Sequence, residues 1–565
     1  MTTLRKLAAA LVLLAAGHAA TQADTIVPPL PPVGPYPVGC SNLEQDFSRV
    51  QPGESVEAYW EGLPRGNTPR FVTDLLVDPV RSLSYQVTYP NDAGVFGSFA
   101  GRTMPYVLVI CYPTDPANAR PDYPLPSGNA IPRMQRGGEA PILAAPGRWP
   151  VLLYSHGLSG SPISGDYVKS LAQFATYGYV TVGVFHGDLR FADLDLSGFE
   201  DYFYALLHFR DFIAMQAVRP LSLSSALDVV LAHPDWRDHV DPSNVVGFGA
   251  SLGGESMLLL AGAKLTTSLG LSSTRIVEDK RLKAAVGYVP YFGIDVYPAF
   301  GRDQQGLDGV ALPYLAISGT ADTTAPIGPV EEGMRRLTGT RQLVAFTGLT
   351  HGYDARYASD LDTWMFTFLA GQTTQSPSLR AISARMTSVA GGMEDVERLD
   401  YMAPLPVPGV GQALVVEYYN PALDHYFMTA EPAEMAMLDA GVVVPGWRRT
   451  GMAWKARPAG SQFGLAACRF FGTPGIGPNS HFYTTDAAEC AKVKADPVWT
   501  YEGIAFNAQG ADSGDCGGDR IPVNRLYNNG MGGQANHRYT TSRSESRQMV
   551  ANGWIVEGYV FCSIP

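Results

Sequence analysis

Asn244-Val-Val-Gly-Phe-Gly-Ala-Ser251-Leu-Gly-Gly254 places a serine in a Gly-x-Ser-x-Gly turn, between an apolar run and the small-residue segment Met257-Leu-Leu-Leu-Ala-Gly-Ala263. A strand that turns straight into a helix leaves no room for side chains beside the serine. This accounts for Gly249 and Gly253, and it lifts Oγ clear of the sheet at a helix N-terminus. A hydroxyl so placed suits nucleophilic acyl transfer, provided that a base, a group orienting the base and donors for an oxyanion accompany it. Asp322 lies four residues past the apolar run Tyr314-Leu-Ala-Ile-Ser318, in a turn that starts at Gly319. An acid there sits at the carboxyl edge of a sheet, where the serine also emerges. The alternative reading of Asp322 is an Asx turn or a helix cap. His351 follows Leu343-Val-Ala-Phe-Thr-Gly-Leu-Thr350, 29 residues beyond the acid, and is the one histidine between Ser251 and the C-terminal part of the chain. The order serine, acid, histidine assigns Ser251 as nucleophile, Asp322 as orienting acid and His351 as general base. Two backbone amides are expected to form the oxyanion hole. One is that of Leu252, directly after the serine. The other is that of Leu158, in the loop Ser155-His-Gly-Leu-Ser-Gly160. His156 and Gly157 are read as shaping that loop. His186 and Asp188 end the next strand and are read as a pair that orders a loop, with pocket lining as the alternative. Phe191, Phe199, Tyr202, Phe203 and Tyr204 either line an acyl pocket or pack the core. No residue is assigned to substrate binding.

The elements that must position these residues alternate from residue 150 onward. Strands are expected at Val151–Ser155, Tyr179–Phe185, Val245–Gly249, Ala284–Pro290, Tyr314–Ser318 and Leu343–Phe346. Helices are expected at Tyr167–Thr176, Asp201–Gln216, Ser224–Ala232 and Asp360–Leu369. Continuous apolar strands separated by helices imply an α/β fold with a mainly parallel sheet covered on both faces. Further strands are expected at Leu83–Tyr89 and Tyr106–Tyr112. The Pro-rich lead Val27–Pro37 is expected to be extended, and residues 370–403 to form a helical or irregular connector.

Beyond a Pro/Gly-rich stretch the chain repeats. His425-Tyr-Phe-Met-Thr429, His481-Phe-Tyr-Thr-Thr485 and His537-Arg-Tyr-Thr-Thr541 lie 56 residues apart, twice. Each follows an aromatic-bearing strand. Each precedes a helical segment with an acid (Glu434, Glu489, Glu545), then Trp447, Trp499 or Trp554, and seven residues later Trp454, Phe506 or Phe561. Three copies of one unit are expected to close into a pseudo-threefold α+β or β-rich domain. The invariant spacing of the aromatics suits core packing, and the three histidines are read as bracing turns. The division expected is a signal peptide at 1–23, a catalytic α/β domain with an N-terminal extension at 24–403, a linker at 404–412 and a triple-repeat accessory domain at 413–565.

Length and composition fit this plan. The 565 residues exceed one ordinary domain, and 46% apolar content supplies more than one core. A net charge of −12 argues against nucleic acid as a partner. Arg5 and Lys6 precede the apolar Leu7–Ala16, which is too short to span a bilayer, and small residues allow cleavage after Ala20 or Ala23. Secretion, to the periplasm or the exterior, follows, with no integral membrane segment. Six cysteines suit an oxidising compartment. Pairing within domains gives Cys40–Cys111, and Cys468–Cys490 with Cys516–Cys562 is favoured among three alternatives. The absence of CxxC or Cys/His spacing means that no metal is expected, and no cofactor. A monomer is expected.

At the serine, acid, histidine and His156-Gly157 loop, the chain resembles the α/β-hydrolase superfamily over roughly residues 80–370. The Ser155–Gly160 loop and Phe185-His-Gly-Asp188 are similar to those of platelet-activating-factor acetylhydrolase and dienelactone-hydrolase-like esterases, as is the entry strand Arg102–Thr114. The sequence departs at Gly249-Ala250, where many relatives have Gly-His, and at Gly187, where the acetylhydrolases often carry arginine. The C-terminal repeats look like a domain of uncharacterised function found at the ends of secreted bacterial proteins. The residues and the resemblance together imply a secreted serine carboxylester hydrolase, and the appended repeat domain, as a tether, suggests a polymeric or insoluble ester such as a polyester. Lipase- or phospholipase-type acetylhydrolase action, amidase action and a non-catalytic adhesion protein on the same fold are the rivals.

Overall fold

The computed structural model describes residues 25–41, 51–54, 59, 70, 84–118, 122–124, 130–131, 141–144, 147–158, 160–162, 167–191, 207–373, 382–383, 386–393, 396–402, 408–511, 516 and 520–564. The signal segment expected at 1–23, Phe199, Tyr202, Phe203, Tyr204, Ser159, residue 403 and residues 404–407 of the expected linker lie outside the described residues. Backbone contacts divide the chain into two compact units, residues 1–334 with 341–399 and residues 335–340 with 400–565.

The first unit is mixed α/β around a large sheet. Its strands are β1 (Val38–Cys40), β2 (Ser84–Thr88), β3 (Thr103–Pro113), β4 (Trp149–Ser155), β5 (Val180–Phe185), β6 (Val240–Ala250), β7 (Leu282–Tyr288), β8 (Tyr314–Gly319), β9 (Arg341–Phe346) and β10 (Val396–Met402). They lie in the order β10-β9-β8-β7-β6-β4-β5-β3-β1, with β2 also paired to β3. From β9 to β5 all the pairings are parallel, and β3 runs antiparallel to β5, β1 and β2. Every residue of β4, β5, β8 and β9 is buried, as expected of parallel strands with both faces covered. On one face Leu152, Tyr154, Val246, Phe248, Val286 and Ile317 share a core with the helices α1 (Tyr167–Thr176) and α5 (Ala358–Thr373). Helices α2 (Phe209–Ala232) and α3 (Leu252–Leu260) pack on β4 and on each other over the other face. A fourth helix, α4 (Ile327–Arg336), connects β8 to β9. The Cys40–Cys111 disulfide ties β1 to β3 at directly paired positions.

Two expectations are corrected. The two helices expected at 201–216 and 224–232 are one helix, α2, which runs through Pro220. Proline removes an N–H and crowds the preceding turn, at a cost of about 3 kcal/mol. Buried residues on both sides of it, Phe212 to Val218 and Leu223 to Val230, outweigh that cost. The connector at 370–403 also contains strands: Met386–Val389 pairs in parallel with Thr25–Val27, and β10 extends the sheet at its edge. Glu397, Arg398 and Asp400 hide β10 from an apolar-pattern reading, because edge strands tolerate charge.

The second unit is β-rich and repeats three times. The first repeat holds β11 (Ala413–Asn420), β12 (His425–Thr429), α6 (Pro432–Ala440) and β13 (Arg448–Ala456). The second holds β14 (Leu465–Gly472), β15 (His481–Thr484), α7 (Ala487–Lys494) and β16 (Trp499–Gly510). The third holds β17 (Ile521–Tyr527), β18 (His537–Thr540), α8 (Arg543–Ala551) and β19 (Ile555–Ser563). In each, the first strand lies between the other two and antiparallel to both. Trp454, Phe506 and Phe561, one per repeat, touch pairwise with ring centroids 5.0, 5.2 and 5.7 Å apart, and they form the centre of a core with Val415, Ala467 and Val523. The repeats match best on Thr429, Thr484 and Thr540, whose Oγ1 accepts the amide two residues on. His425 stands four residues before its threonine and the others three, so the first repeat carries one extra residue here. Cys468–Cys490 and Cys516–Cys562 are the remaining disulfides. Among the described residues no helix is long and apolar enough to cross a membrane.

Candidate active site

Chain order reverses beside β4, which lies between β5 and β6. After β5 the chain crosses back to β6 and proceeds outward through β7, β8 and β9. In open parallel sheets, the carboxyl ends at such a reversal are where ligands bind. Here β4 ends at Ser155, leading to His156-Gly157, and β6 ends at Ala250, directly before Ser251.

Ser251 occupies φ 53°, ψ −119°, a conformation that costs a side-chain-bearing residue energy and is retained where the surroundings impose it. Tyr288 O accepts its amide at 3.0 Å, and its own carbonyl accepts the Tyr291 and Gly254 amides at 3.0 and 2.9 Å. The turn requires glycine on both sides. A Cβ on Gly249 would overlap the backbone of Gly253, and one on Gly253 would overlap the Ser155 carbonyl.

Asp322 and His351 stand on the loops after β8 and β9. The loops are tied together by the Thr320 amide on Phe346 O (3.1 Å) and the Ala321 amide on Leu349 O (3.2 Å). Tyr288 Oη donates to Gly352 O at 2.9 Å and steadies the histidine loop. The two oxygens of Asp322 have different partners. Oδ1 accepts the Thr324 and Ala325 amides at 2.9 and 2.8 Å, as in an Asx turn, while Oδ2 faces His351 Nδ1 at 2.8 Å. The carboxylate can only accept, so Nδ1 carries the imidazole proton and Nε2 presents a lone pair. Nε2 lies 2.9 Å from Ser251 Oγ. The Asp322 side chain is fully shielded and that of His351 is 28% exposed, so the hydrogen-bonded chain opens to solvent at the histidine. The structure thus brings Ser251, His351 and Asp322 into one hydrogen-bonded chain.

Leu252 is the first residue of α3, where an amide has no acceptor within the helix. Leu158 lies in the turn after β4. That turn abuts the serine, since a Cβ placed on Gly157 would lie 3.5 Å from Ser251 Cβ. Tyr167 Oη accepts the Gly157 amide at 3.2 Å. His186 is buried between Ser155 Oγ (Nε2, 2.8 Å) and Ser222 Oγ (Nδ1, 3.1 Å). Burial, followed by the cationic Arg219 and by His156, holds it well below the ordinary histidine range, so it is neutral. Asp188 is buried on Arg219. Phe191 is buried 4.5 Å from Phe99, ring centroid to centroid, and is a core residue.

Two residues in this region escaped sequence reasoning. Arg219 is fully buried on α2 and reaches the His156-Gly157 loop. Its signal is an arginine inside the apolar stretch Phe212–Leu223, which requires a buried partner. Glu255, four residues after Ser251, is fully buried; Gln216 Nε2 donates to its Oε1 at 2.7 Å. Burial pushes its carboxyl up to about 8, so it carries a proton at neutral pH.

Comparison with known families matches residues 414–564, the three repeats, to a domain of unknown function (DUF5648). No curated protein matches the chain.

Proposed function

We propose that the protein is a secreted serine carboxylester hydrolase on an α/β-hydrolase fold. The observation that carries this reading is the continuous Asp322–His351–Ser251 hydrogen-bonded chain, with Ser251 in a strained turn at the sheet's carboxyl edge. His351 Nε2 takes the Ser251 proton as Oγ bonds to the ester carbonyl carbon. The carbonyl oxygen becomes an oxyanion, held by the Leu252 and Leu158 amides, each worth about 3 kcal/mol in the transition state. As the carbonyl re-forms, the C–O bond to the alcohol breaks and His351 returns the proton to the leaving oxygen. Water, deprotonated by the same imidazole, then attacks the acyl-serine carbonyl; the C–Oγ bond breaks, His351 returns the proton to Ser251 Oγ and the acid leaves. Asp322 keeps the proton of the neutral imidazole on Nδ1 and stabilises the imidazolium. Three disulfides, together with the basic-then-apolar N-terminal sequence, support export to an oxidising compartment.

The appended repeats support a polymeric or insoluble ester, because a tethered catalyst works at raised local concentration. The test of the chemistry is Ser251→Ala on p-nitrophenyl esters, with fluorophosphonate labelling of the wild type. Loss of both hydrolysis and labelling is expected. A variant that hydrolyses at the wild-type rate, or a wild type that does not label, refutes the reading and favours a binding protein.

A further inference from the structure

We propose that Arg219 is a positioning residue for the oxyanion hole: it grips the Gly157 carbonyl and thereby aims the Leu158 N–H, which belongs to the same peptide group, at the ester oxygen. The inference rests on the ester-hydrolase reading above and on the Leu158 amide as a donor.

The Arg219 side chain is fully buried, and its guanidinium is used on two fronts. Nε donates to Asp188 Oδ1 at 3.0 Å, and Nη2 also pairs with Oδ2. On the other front Nη1 donates to His156 O at 2.7 Å and Nη2 to Gly157 O at 2.9 Å. The planar fork can bridge a carboxylate and two successive carbonyls at once, which a lysine ammonium cannot do. His156 adds a second grip. The His186 amide donates to its Nε2 at 3.3 Å, so Nε2 is the bare nitrogen and Nδ1 carries the proton. Nδ1 then donates to the same Gly157 O at 2.8 Å. A longer contact from the Gly160 amide, 3.4 Å, completes the set on this oxygen.

The consequence follows from peptide geometry. In a planar trans peptide, C=O and the following N–H point in opposite directions. Donors drawn up on one side of the Gly157 carbonyl therefore fix the Leu158 N–H on the other side. Gly157 lies against Ser251, so the direction of that N–H decides whether it meets the developing oxyanion. Left alone, a glycine peptide in a turn rotates cheaply. Asp188 holds the guanidinium in register from the end of β5, which gives the buried Asp188–Arg219 pair a role beyond packing.

The experiment is Arg219→Lys in the full chain, with kcat expressed per fluorophosphonate-titrated site and the Ki of a trifluoromethyl ketone measured alongside. The ketone forms a serine hemiketal whose oxyanion occupies the same hole. Lysine keeps the charge opposite Asp188 but cannot hold both carbonyls. Expected are a fall in kcat per site of about 100-fold, the scale of one lost oxyanion donor, a Ki weakened by a similar factor, and KM within threefold. A folding role alone would lower the number of titrated sites and leave kcat per site and Ki unchanged; that result overturns the proposal while ester hydrolysis stands. If the lysine variant does not fold, the neutral pair Asp188→Asn with Arg219→Gln takes its place. The same coupled loss is expected of it, and full activity per site overturns the proposal. A wild type that neither hydrolyses esters nor binds the ketone overturns the ester-hydrolase reading itself, and this proposal with it.

Discussion

Asp322→Asn tests the relay at the point where its geometry is most constrained. The two oxygens of Asp322 have different duties: Oδ1 accepts two backbone amides, and Oδ2 accepts the His351 proton. An asparagine of the same shape must turn its NH2 to one side or the other. With its oxygen on the Thr324 and Ala325 amides, the NH2 points at His351 Nδ1. The imidazole then offers a lone pair at Nδ1 and moves its proton to Nε2, which faces Ser251 Oγ and can no longer accept from it. With the NH2 turned to the amides, the productive tautomer survives, but the buried Ala325 N–H and the part-buried Thr324 N–H lose their acceptor. Each costs about 1–3 kcal/mol, so the productive orientation lies roughly 2–6 kcal/mol higher and is populated at about 1 part in 30 to 1 part in 10⁴. Accordingly kcat should fall by at least about 30-fold and by as much as about 10⁴-fold, the scale known for a wrong-tautomer triad. KM for a small p-nitrophenyl ester should stay within threefold, and the melting temperature within a few degrees, because the favoured orientation keeps both amide bonds. Steady-state kinetics per titrated site, with circular dichroism melting, measures all three. A folded variant with kcat within threefold of wild type would show that Asp322 does not set the tautomer, and the assignment of roles would fail.

Glu255→Gln should flatten the pH dependence of stability. The folded carboxyl is raised from an ordinary 4.5 to about 8, so its contribution is complete below pH 4.5 and is lost as the pH rises to about 8, at up to about 1.4 kcal/mol per pH unit. Urea midpoints measured between pH 5 and 8 should decline for the wild type and decline less for the variant; equal slopes would contradict the burial argument. Opening the Cys468–Cys490 bridge with paired serines frees a 22-residue separation and should destabilise the repeat unit by about 3 kcal/mol, seen as a lower denaturation midpoint; a loss below about 0.5 kcal/mol would refute that figure. Deleting residues 405–565 should reduce turnover of solid polyester more than that of a soluble ester, compared at equal enzyme. An equal loss on both would point to a folding role for the repeats rather than a tether.

The sequence made the order of strands, serine, acid and histidine readable because each chemical residue follows an apolar run that has to be a buried strand. Ser251, Asp322 and His351 could be placed on that basis without knowing a single distance. What escaped is held by contacts distant in the chain. Arg219 meets a loop more than 60 residues away through backbone carbonyls, and carbonyls leave no trace in residue identity. The continuity of α2 through Pro220 depends on burial on both sides, which a local propensity argument undervalues. The edge strand β10 is charged and gains its structure from the β9 edge it pairs with. The repeats were visible through their histidines, yet the one-residue offset in the first appears only when hydrogen bonds, not residue types, set the match.

The charges between repeats show which two repeats meet where the set closes. Glu417, Arg469 and Arg525 occupy the same place, on the first strand of each repeat, opposite Met428, Tyr483 and Tyr539. Arg469 reaches back to Glu434 on the preceding helix at 2.9 and 3.0 Å and lies over Phe427, 5.3 Å from its ring centroid. Arg525 does the same with Glu489, at 3.0 Å twice, and with Phe482 at 4.7 Å. At the junction between the third repeat and the first, both partners are exchanged. The arginine position holds Glu417, and the phenylalanine position holds Arg538, which bonds Glu417 at 3.0 and 3.1 Å and also pairs with Glu545 on its own helix. Without Arg538 two carboxylates would face each other at the closing seam, where Glu417 is 2% exposed; an uncompensated buried charge of this kind costs about 3–5 kcal/mol. A further copy of the second or third repeat inserted at this seam would bring an arginine where Glu417 now stands and set it against Arg538. The seam therefore accepts the first repeat and rejects a repeat of the ordinary kind, so the exchanged pair, Glu417 with Arg538, fixes which two repeats meet where the set closes.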